Sequence, residues 1–273
     1  MKQYLDALKH IMETGVDRPN RTGIDTRAVF GLPLRFSMQD GFPAVTTKKL
    51  AFNAAKAELL WFISGSSDVK ELQKLGCRIW DANAEAGYWK PKAQFEGDLG
   101  RVYGVQWRSW RTANGREVDQ LADAIKKIKE SPHDRRIIVS AWNPGEIDEM
   151  ALPPCHMMYH FFVAGNKLSL LMYQRSCDMF LGVPFNIASY SLLLHLVAQV
   201  TGLEPNECIL NLGDAHIYHN HFEQVKEQLA RAPYPLPKLK LNPAIKDIDD
   251  FKMEDIELID YQCHPAIKAP MAV

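Results

Sequence analysis

The sequence predicts a mixed α/β (α+β) fold built mostly as one domain, and three observations carry that prediction. Residues 157–163 and 167–175 are β-rich runs joined by Ala164-Gly-Asn166, a pattern typical of a β-hairpin. Residues 182–202 form a nearly all-round apolar helix, which indicates a long central helix buried inside the domain. Residues 3–14 carry apolar side chains at a 3.6-residue period, which predicts an amphipathic helix.

The remaining segments fit one domain spanning residues 1–273. We expect a strand at 27–36 and helices at 51–64 and 118–130. Residues 66–130 form a smaller, more variable subregion whose tryptophans and tyrosines are interrupted by glycines; these rings can build either a stacking surface or a small core. Residues 261–273 form a C-terminal tail with no periodicity, and such tails are ordinarily disordered.

Composition excludes several classes of function. The chain has 273 residues, 47% hydrophobic and 24% charged, with a net charge of -1, so it offers no argument for a nucleic-acid or membrane partner. The longest apolar run is interrupted by His195 and Gln199, so no segment is expected to span a membrane. No P-loop or G-x-G-x-x-G pattern is present. Any phosphate recognition must therefore come from local arginines.

Cysteine usage indicates a reducing compartment. There are five cysteines, and none of them forms a C-x-x-C pair, so neither a disulfide framework nor a structural zinc site is expected. The N-terminus lacks the apolar core of a signal peptide. We therefore expect a cytoplasmic protein.

Cys155 is the candidate nucleophile. It follows two prolines at the start of the predicted hairpin, and Arg175 with Ser176 lies at the hairpin's end. Because an antiparallel pair brings its two ends together, Cys155 and Arg175 should be neighbours. A nucleophile beside an anion site is typical of an enzyme acting on a phosphorylated small molecule. The alternative is a buried cysteine that acts only as a small hydrophobe.

Glu58 and Asn186 each permit two interpretations. Glu58 lies on a helix with bulky apolar neighbours; it is either a solvated edge residue or, if buried, a carboxyl whose raised pKa suits acid–base work. Asn186 stands at the beginning of the apolar helix. Its amide either caps that helix or reads the donor and acceptor edge of a pyrimidine.

Two further clusters carry charge or metal-ligand atoms. Arg135 and Arg136 precede a buried-type strand. Neighbouring strand side chains point to opposite faces, so these arginines are surface charge unless they lie in a loop or reach across an interface. His216, His219 and His221 lack the carboxylate context of a zinc motif.

Motifs along the whole chain resemble one family. They are Arg21-Thr-Gly23, Phe42-Pro-Ala-Val-Thr-Thr-Lys-Lys-Leu50, Ala57-Glu-Leu-Leu-Trp-Phe62, Asp98-Leu-Gly100, Val102-Tyr-Gly104, Asp134-Arg-Arg136, Leu152-Pro-Pro-Cys-His156, Tyr173-Gln-Arg-Ser-Cys-Asp178, Phe180-Leu-Gly-Val-Pro-Phe-Asn-Ile-Ala-Ser-Tyr190, Gly213-Asp-Ala-His-Ile-Tyr218 and His264-Pro-Ala-Ile-Lys268. In this order they resemble the thymidylate synthases, the folate-dependent methyltransferases of dTMP biosynthesis. The resemblance implies a large mixed sheet packed against a partner's sheet in a homodimer.

The resemblance also implies a reaction. Cys155 would add to C6 of dUMP, helped by Arg175, which should lower the pKa of its thiol. 5,10-Methylenetetrahydrofolate would donate a carbon and then a hydride, leaving dTMP and dihydrofolate, so no NAD, flavin or metal is expected. Glu58 would transfer a proton through water, and Tyr103 would help the C5 proton leave.

The same resemblance assigns binding residues. For dUMP they are Arg21, Gln174, Arg175, Ser176, Asp178, Asn186, His216 and Tyr218, with Arg135 and Arg136 from the partner subunit. For folate they are Ile79, Trp80, Leu152, Asp178, Gly182 and the tail residues Ala272 and Val273, which would close over the site. His156, with Gln174, would support the hydrogen-bond network.

Three departures from the family pattern bear on folate affinity and on the preference for polyglutamylated forms, and none touches a residue assigned to chemistry. His160 stands where many relatives carry glutamine, Arg101 where they usually carry proline, and residues 84–96 differ in length among relatives.

Two alternative functions remain. A pyrimidine nucleotide hydroxymethylase would use the same scaffold with water in place of the hydride. A nucleotide- or RNA-binding protein with a retired site is the other alternative, and Cys155, Glu58 and Asn186 argue against it.

Overall fold

The structure is a computed structural model that describes residues 1–21 and 23–270. Within them the helices are α1 (Lys2–Thr14), α2 (Phe52–Ser64), α3 (Val69–Lys74), α4 (Asp81–Ala84), α5 (Tyr103–Arg108), α6 (Gln120–Glu130), α7 (Val183–Thr201) and α8 (Phe222–Leu229). The strands are β1 (Val16–Arg18), β2 (Thr26–Ser37), β3 (Trp110–Arg111), β4 (Glu117–Val118), β5 (Ile138–Ser140), β6 (His156–Ala164), β7 (Lys167–Asp178), β8 (Glu204–Tyr218), β9 (Lys238–Leu241) and β10 (Ile256–Ile259).

A six-stranded mixed sheet is the framework, in the order β1-β2-β8-β7-β6-β5. The β7–β8 pair is parallel, and the other neighbours are antiparallel. A parallel pair needs a crossover, and α7 provides it. The predicted mixed α+β fold with a large mixed sheet is confirmed.

The hairpin of β6 and β7 sets the position of Cys155. Its strands meet at the pair Ala164 and Lys167, and Gly165 takes the positive φ of 61° that the tight turn requires. At the open end, the Arg175 N–H donates to the Cys155 carbonyl over 2.8 Å. The two ends of the hairpin are therefore adjacent, as predicted.

Helix α7 lies inside the fold. It is long and apolar enough to span a membrane by length and composition alone, but 78% of its apolar window is buried within the protein. The Gln199 side chain donates to the carbonyls of Asn242 (2.9 Å) and Ile245 (3.0 Å). This polar interruption therefore ties the helix to the C-terminal region.

Strand β6 has one covered and one uncovered face. Tyr159 is buried and its ring meets that of Tyr190 on α7 at 5.7 Å. Phe162 points the other way because strand side chains alternate, and it is 64% exposed. Ile138, on β5 opposite His160, shares that outer face and is 40% exposed.

Two regions differ from their simplest expectation. Most of the aromatic side chains of 66–130, including Trp80, Trp89 and Trp107, are buried in the core. Residues 261–270 have no regular structure, yet the expectation of disorder is wrong for them. Arg231 donates to the Pro265 carbonyl over 2.7 Å, and His221 Nε2 donates to the Pro270 carbonyl over 2.7 Å.

Candidate active site

Cys155 lies in a cleft of about 530 Å³. Its carbonyl bonds Arg175, and its N–H donates to the Tyr103 hydroxyl over 2.8 Å. The backbone on both sides of the thiol is therefore fixed. The other residues that line the cleft are Asn20, Arg21, Thr26, Tyr88, Trp89, Lys92, Ile147, Asp148, Met150, Ala151, Leu152, Pro153, Arg175, Ser176, Asp214, His216 and Tyr218.

The cleft gathers two of the predicted phosphate-binding arginines around the thiol. Arg175 donates from Nε to the Pro154 carbonyl (2.8 Å) and from Nη2 to the Pro153 carbonyl (3.0 Å). Its guanidinium also lies 5.4 Å from the Trp142 ring centroid. Its position is thus set by the loop that precedes the cysteine. Arg21 approaches from the loop between β1 and β2.

The electrostatics of Cys155 differ from expectation. Burial raises the pKa of the thiol above its ordinary value, while Arg175, the Tyr103 hydroxyl and Arg21 lower it by less. The predicted lowering by Arg175 is confirmed, but burial raises the pKa of the thiol by more, so the net shift is upward in the isolated chain. Desolvation outweighs the cationic charge because burial disfavours the thiolate more than the nearby arginines favour it.

Strand β8 forms the opposite wall of the cleft. The pairing of Ser176 with Asp214 and of Asp178 with His216 places the end of β7 beside it. His216 Nδ1 lies 3.2 Å from an Asp214 oxygen, and the other Asp214 oxygen accepts from Arg18 over 2.9 Å. These contacts orient the His216 ring toward Tyr218, with the two ring centroids 5.3 Å apart.

Glu58 lies behind this cleft, on α2. Desolvation raises the pKa of its half-buried carboxyl to about 7, although a hydrogen bond from Trp80 Nε1 (2.7 Å) opposes the shift. The Trp80 ring stands 5.9 Å from that of Tyr103, whose hydroxyl meets Cys155. The raised pKa supports the acid–base interpretation of Glu58 over that of a solvated edge residue.

His156 is buried against the rings of Tyr103 and Tyr190. Burial lowers the pKa of its imidazole to about 3, so the ring is neutral. Its Nδ1 lies 2.7 Å from the Tyr190 hydroxyl, and it stacks on Tyr103 with 4.1 Å between ring centroids. His156 therefore fixes the phenol that holds Cys155.

The start of α7 carries Asn186 in its first turn. The N-cap residue is Gly182 and no side chain caps this helix, so the capping interpretation of Asn186 is wrong. Its side-chain amide forms no hydrogen bond within the described residues, and Asn186 is not among the residues that line the cleft. Gly182 is close by: a Cβ there would lie 3.9 Å from Asn186 Oδ1 and 3.3 Å from the Asp178 carbonyl.

Gln174 and Asp178 bond the backbone around the site. Gln174 Nε2 donates to the Ser176 carbonyl over 3.0 Å, while its buried Oε1 has no partner among the described residues. Asp178 Oδ1 accepts from the N–H groups of Phe180 and Leu181, each at 3.0 Å. Asp178 thus shapes the turn that leads from β7 into α7.

Arg135 and Arg136 are not brought to the cleft within one chain. They lie in the loop before β5, outside regular strand structure, and line a separate surface concavity. Arg136 pairs with Asp134 at 3.0 Å. The strand-face difficulty therefore does not arise, and any role at the site requires a second chain.

Among the predicted folate residues that the structure describes, Ile79, Trp80, Asp178 and Gly182 do not line the cleft. Leu152 lines the cleft, whereas Trp80 is buried and Ile79 is exposed nearby in the sequence. Ala272 and Val273 lie outside the described residues.

The three clustered histidines each contact a different partner. His216 contacts Asp214, His219 contacts Asp17, and His221 contacts the Pro270 carbonyl.

Sequence reasoning missed several residues that line the cleft. Asp214 belongs to the Gly213-Asp-Ala-His motif, so its motif membership was a usable signal. Tyr88, Trp89 and Lys92 come from the segment of variable length, and only the tertiary fold places them there.

The sequence model of the thymidylate synthase family matches residues 2–273, essentially the whole chain. The match includes every residue that lines the cleft around Cys155. The chain belongs to the thymidylate synthase family.

Proposed function

We propose that this protein converts dUMP to dTMP in the cytoplasm, with 5,10-methylenetetrahydrofolate as carbon donor and reductant. The observation that carries the proposal is the adjacency of Cys155 to Arg175 in one cleft, with backbone contacts on both residues. A fixed thiol beside a fixed cation suits covalent addition to a ring whose phosphate is held nearby.

The anion end of the cleft fits a nucleoside monophosphate. Arg21, Arg175 and Ser176 offer donors to the phosphate, and His216 with Tyr218 offers partners to the 3′-hydroxyl. Asn186 presents its unpaired amide to the N3–O4 edge of uracil. Asparagine, with both a donor and an acceptor, favours uracil over cytosine.

The cleft also fits a folate. Tyr88, Trp89 and Leu152 supply aromatic and apolar surface, and Lys92 supplies a cation. When bound, this cosubstrate supplies the one-carbon unit and the hydride. Cys155 forms the bond to C6 and is released when the C5 methyl group is complete. Glu58 moves protons through water near neutral pH, and Tyr103 assists loss of the C5 proton.

A homodimer completes the site in this proposal. Phe162 and Ile138 expose apolar surface on the sheet face away from α7, which suits packing against a second sheet. Arg135 and Arg136 stand exposed on a loop of the same β5 edge and are free to reach a partner's phosphate site. Their charge would also lower the pKa of the partner's thiol, against the effect of burial.

One assay tests the function. The protein is incubated with dUMP and methylenetetrahydrofolate, and the nucleotide and folate products are identified. We expect dTMP and dihydrofolate in equal amounts. Hydroxymethyl-dUMP without dihydrofolate would identify a hydroxymethylase instead, and binding without turnover would identify a binding protein.

A further inference from the structure

The segment 84–96 forms part of the cleft wall. Its backbone is ordered by turns, with the Trp89 N–H donating to the Ala86 carbonyl at 2.9 Å and the Gln94 N–H to an Asp98 carboxylate oxygen at 2.9 Å. Tyr88, Trp89 and Lys92 face the same cleft as Cys155. The segment that varies in length among relatives thus contributes to this site.

Trp89 anchors the segment. Its ring is buried, and its Nε1 donates to the Asp98 carbonyl over 2.7 Å. It packs so closely on Gly100 that a Cβ there would lie 2.6 Å from the indole. Tyr88 directly precedes Trp89 in the chain, so its backbone is held in place by this packing.

Tyr88 is exposed and held at both ends. Its hydroxyl donates to the Ala151 carbonyl over 2.8 Å, while 64% of the residue remains accessible. Ala151 begins the loop that leads to Cys155. Core packing does not account for a ring that is fixed yet accessible, whereas a surface for stacking a planar group does.

Lys92 supplies an unneutralised charge at the rim. Its ammonium makes one long contact, 3.5 Å to the Asp148 carbonyl, and no ion pair within residues 1–21 and 23–270. Lys90, close by in the same segment, is instead paired with Glu85 at 2.5 Å. Lys92 is thus available to a carboxylate.

We propose that Tyr88 and Lys92 determine affinity for the folate cosubstrate: Tyr88 packs on one of its planar rings and Lys92 binds its glutamate carboxylate. Folates contain both groups, linked by an amide, and the two side chains are close in sequence on one cleft wall. This inference rests on the proposed function and assigns the binding of its second substrate to the segment 84–96.

The test compares substitutions in the segment with matched controls. Tyr88→Ala should raise KM for methylenetetrahydrofolate about tenfold, because a base-sized ring stacked on an aromatic contributes about 1–3 kcal/mol. Tyr88→Phe, which keeps the ring, should change it about twofold. Lys92→Met should raise it about threefold at low salt and less at high salt. Phe95→Ala and Lys90→Met, which are exposed but outside the cleft lining, should leave it unchanged.

Direct binding separates this inference from the proposed function. Titration calorimetry with dihydrofolate in the presence of dUMP should show the same ranking of variants, with the Kd for dUMP unchanged. Equal folate affinity in Tyr88→Ala and Phe95→Ala would overturn the inference, as would a matching loss of dUMP affinity. Wild-type protein that binds folate but makes no dTMP would overturn the proposed function while leaving the binding assignment intact.

Discussion

The Cys155 end of the hairpin and the loop before β5 both carry arginines assigned to one phosphate, but they are built differently. Arg175 is tied to the carbonyls of Pro153 and Pro154 beside the thiol. Arg135 and Arg136 are exposed, and the Arg136 guanidinium bonds its near neighbour Asp134. The Arg175 side chain is therefore fixed by contacts within the chain, whereas the Arg135 and Arg136 side chains remain exposed at the surface.

The difference between these regions explains the pKa of the nucleophile. Within one chain, burial raises the pKa of Cys155 despite Arg175 and Arg21. In the proposed homodimer, two further guanidinium groups from the partner subunit would oppose the effect of burial on the pKa of this thiol. In this account, a single chain has the nucleophile but not the complete electrostatic environment.

The sharpest test of the difference is charge reversal of the exposed pair. Arg135→Glu with Arg136→Glu should lower kcat/KM for dUMP about 10⁴-fold, since two charge-assisted phosphate contacts are lost and repulsion replaces them. Mixing this variant with inactive Cys155→Ala protein should restore activity, because one site of each mixed dimer has both parts. Failure of mixing, despite exchange of subunits, would place all components within one chain.

Glu58→Gln probes the buried acid–base group. We expect kcat to fall about 10³-fold, within the range for loss of a positioned proton-transfer group. Because the carboxyl has a folded pKa of about 7, raised above its unfolded value, wild-type stability should decrease as pH rises from about 4.5 to 7. Urea unfolding at several pH values should show a smaller decrease in Glu58→Gln, and an identical pH dependence would contradict the desolvated position.

Arg175→Lys separates the positive charge of Arg175 from its hydrogen bonds to the Pro153 and Pro154 carbonyls. Lysine keeps the charge but cannot bond two carbonyls and a phosphate together, so kcat/KM should fall about 10²-fold. Arg116→Lys, on an exposed turn, is the matched control and should be neutral. Steady-state kinetics with dUMP suffice, and full activity of Arg175→Lys would show that the backbone contacts are dispensable.

Asn186→Asp tests base recognition with the smallest expected effect. The new carboxylate should reduce dUMP affinity about tenfold and improve acceptance of dCMP, because the donor to uracil O4 is lost. Calorimetric titration with both nucleotides measures the ratio directly. An unchanged preference would remove Asn186 from the reading of the base.

Local patterns were enough for the fold's main elements and for the central pair. Period and turn residues predicted the hairpin and α7, and hairpin geometry alone placed Cys155 beside Arg175. The order of the six strands and the placement of the exposed Arg135 loop depend on tertiary packing and were not available from local periodicity.

Three features depend on tertiary surroundings that local patterns do not reveal. The sign of the Cys155 pKa shift follows from desolvation that no spacing reveals. Asn186 has the residue type of a cap, but the helix begins at Val183, so its amide is left unpaired. The tail to residue 270 was expected to be disordered because it lacks periodicity, yet Arg231 and His221 bond its carbonyls.

The most direct test of the account is release of tritium from C5 of labelled dUMP in the presence of methylenetetrahydrofolate. In the proposed reaction, covalent addition of Cys155 at C6 activates C5, so Cys155→Ala should release none while dUMP still binds. Cys263→Ala, which removes another partly buried thiol, should match the wild type. Release by Cys155→Ala at a substantial fraction of the wild-type rate would contradict the assignment of the nucleophile.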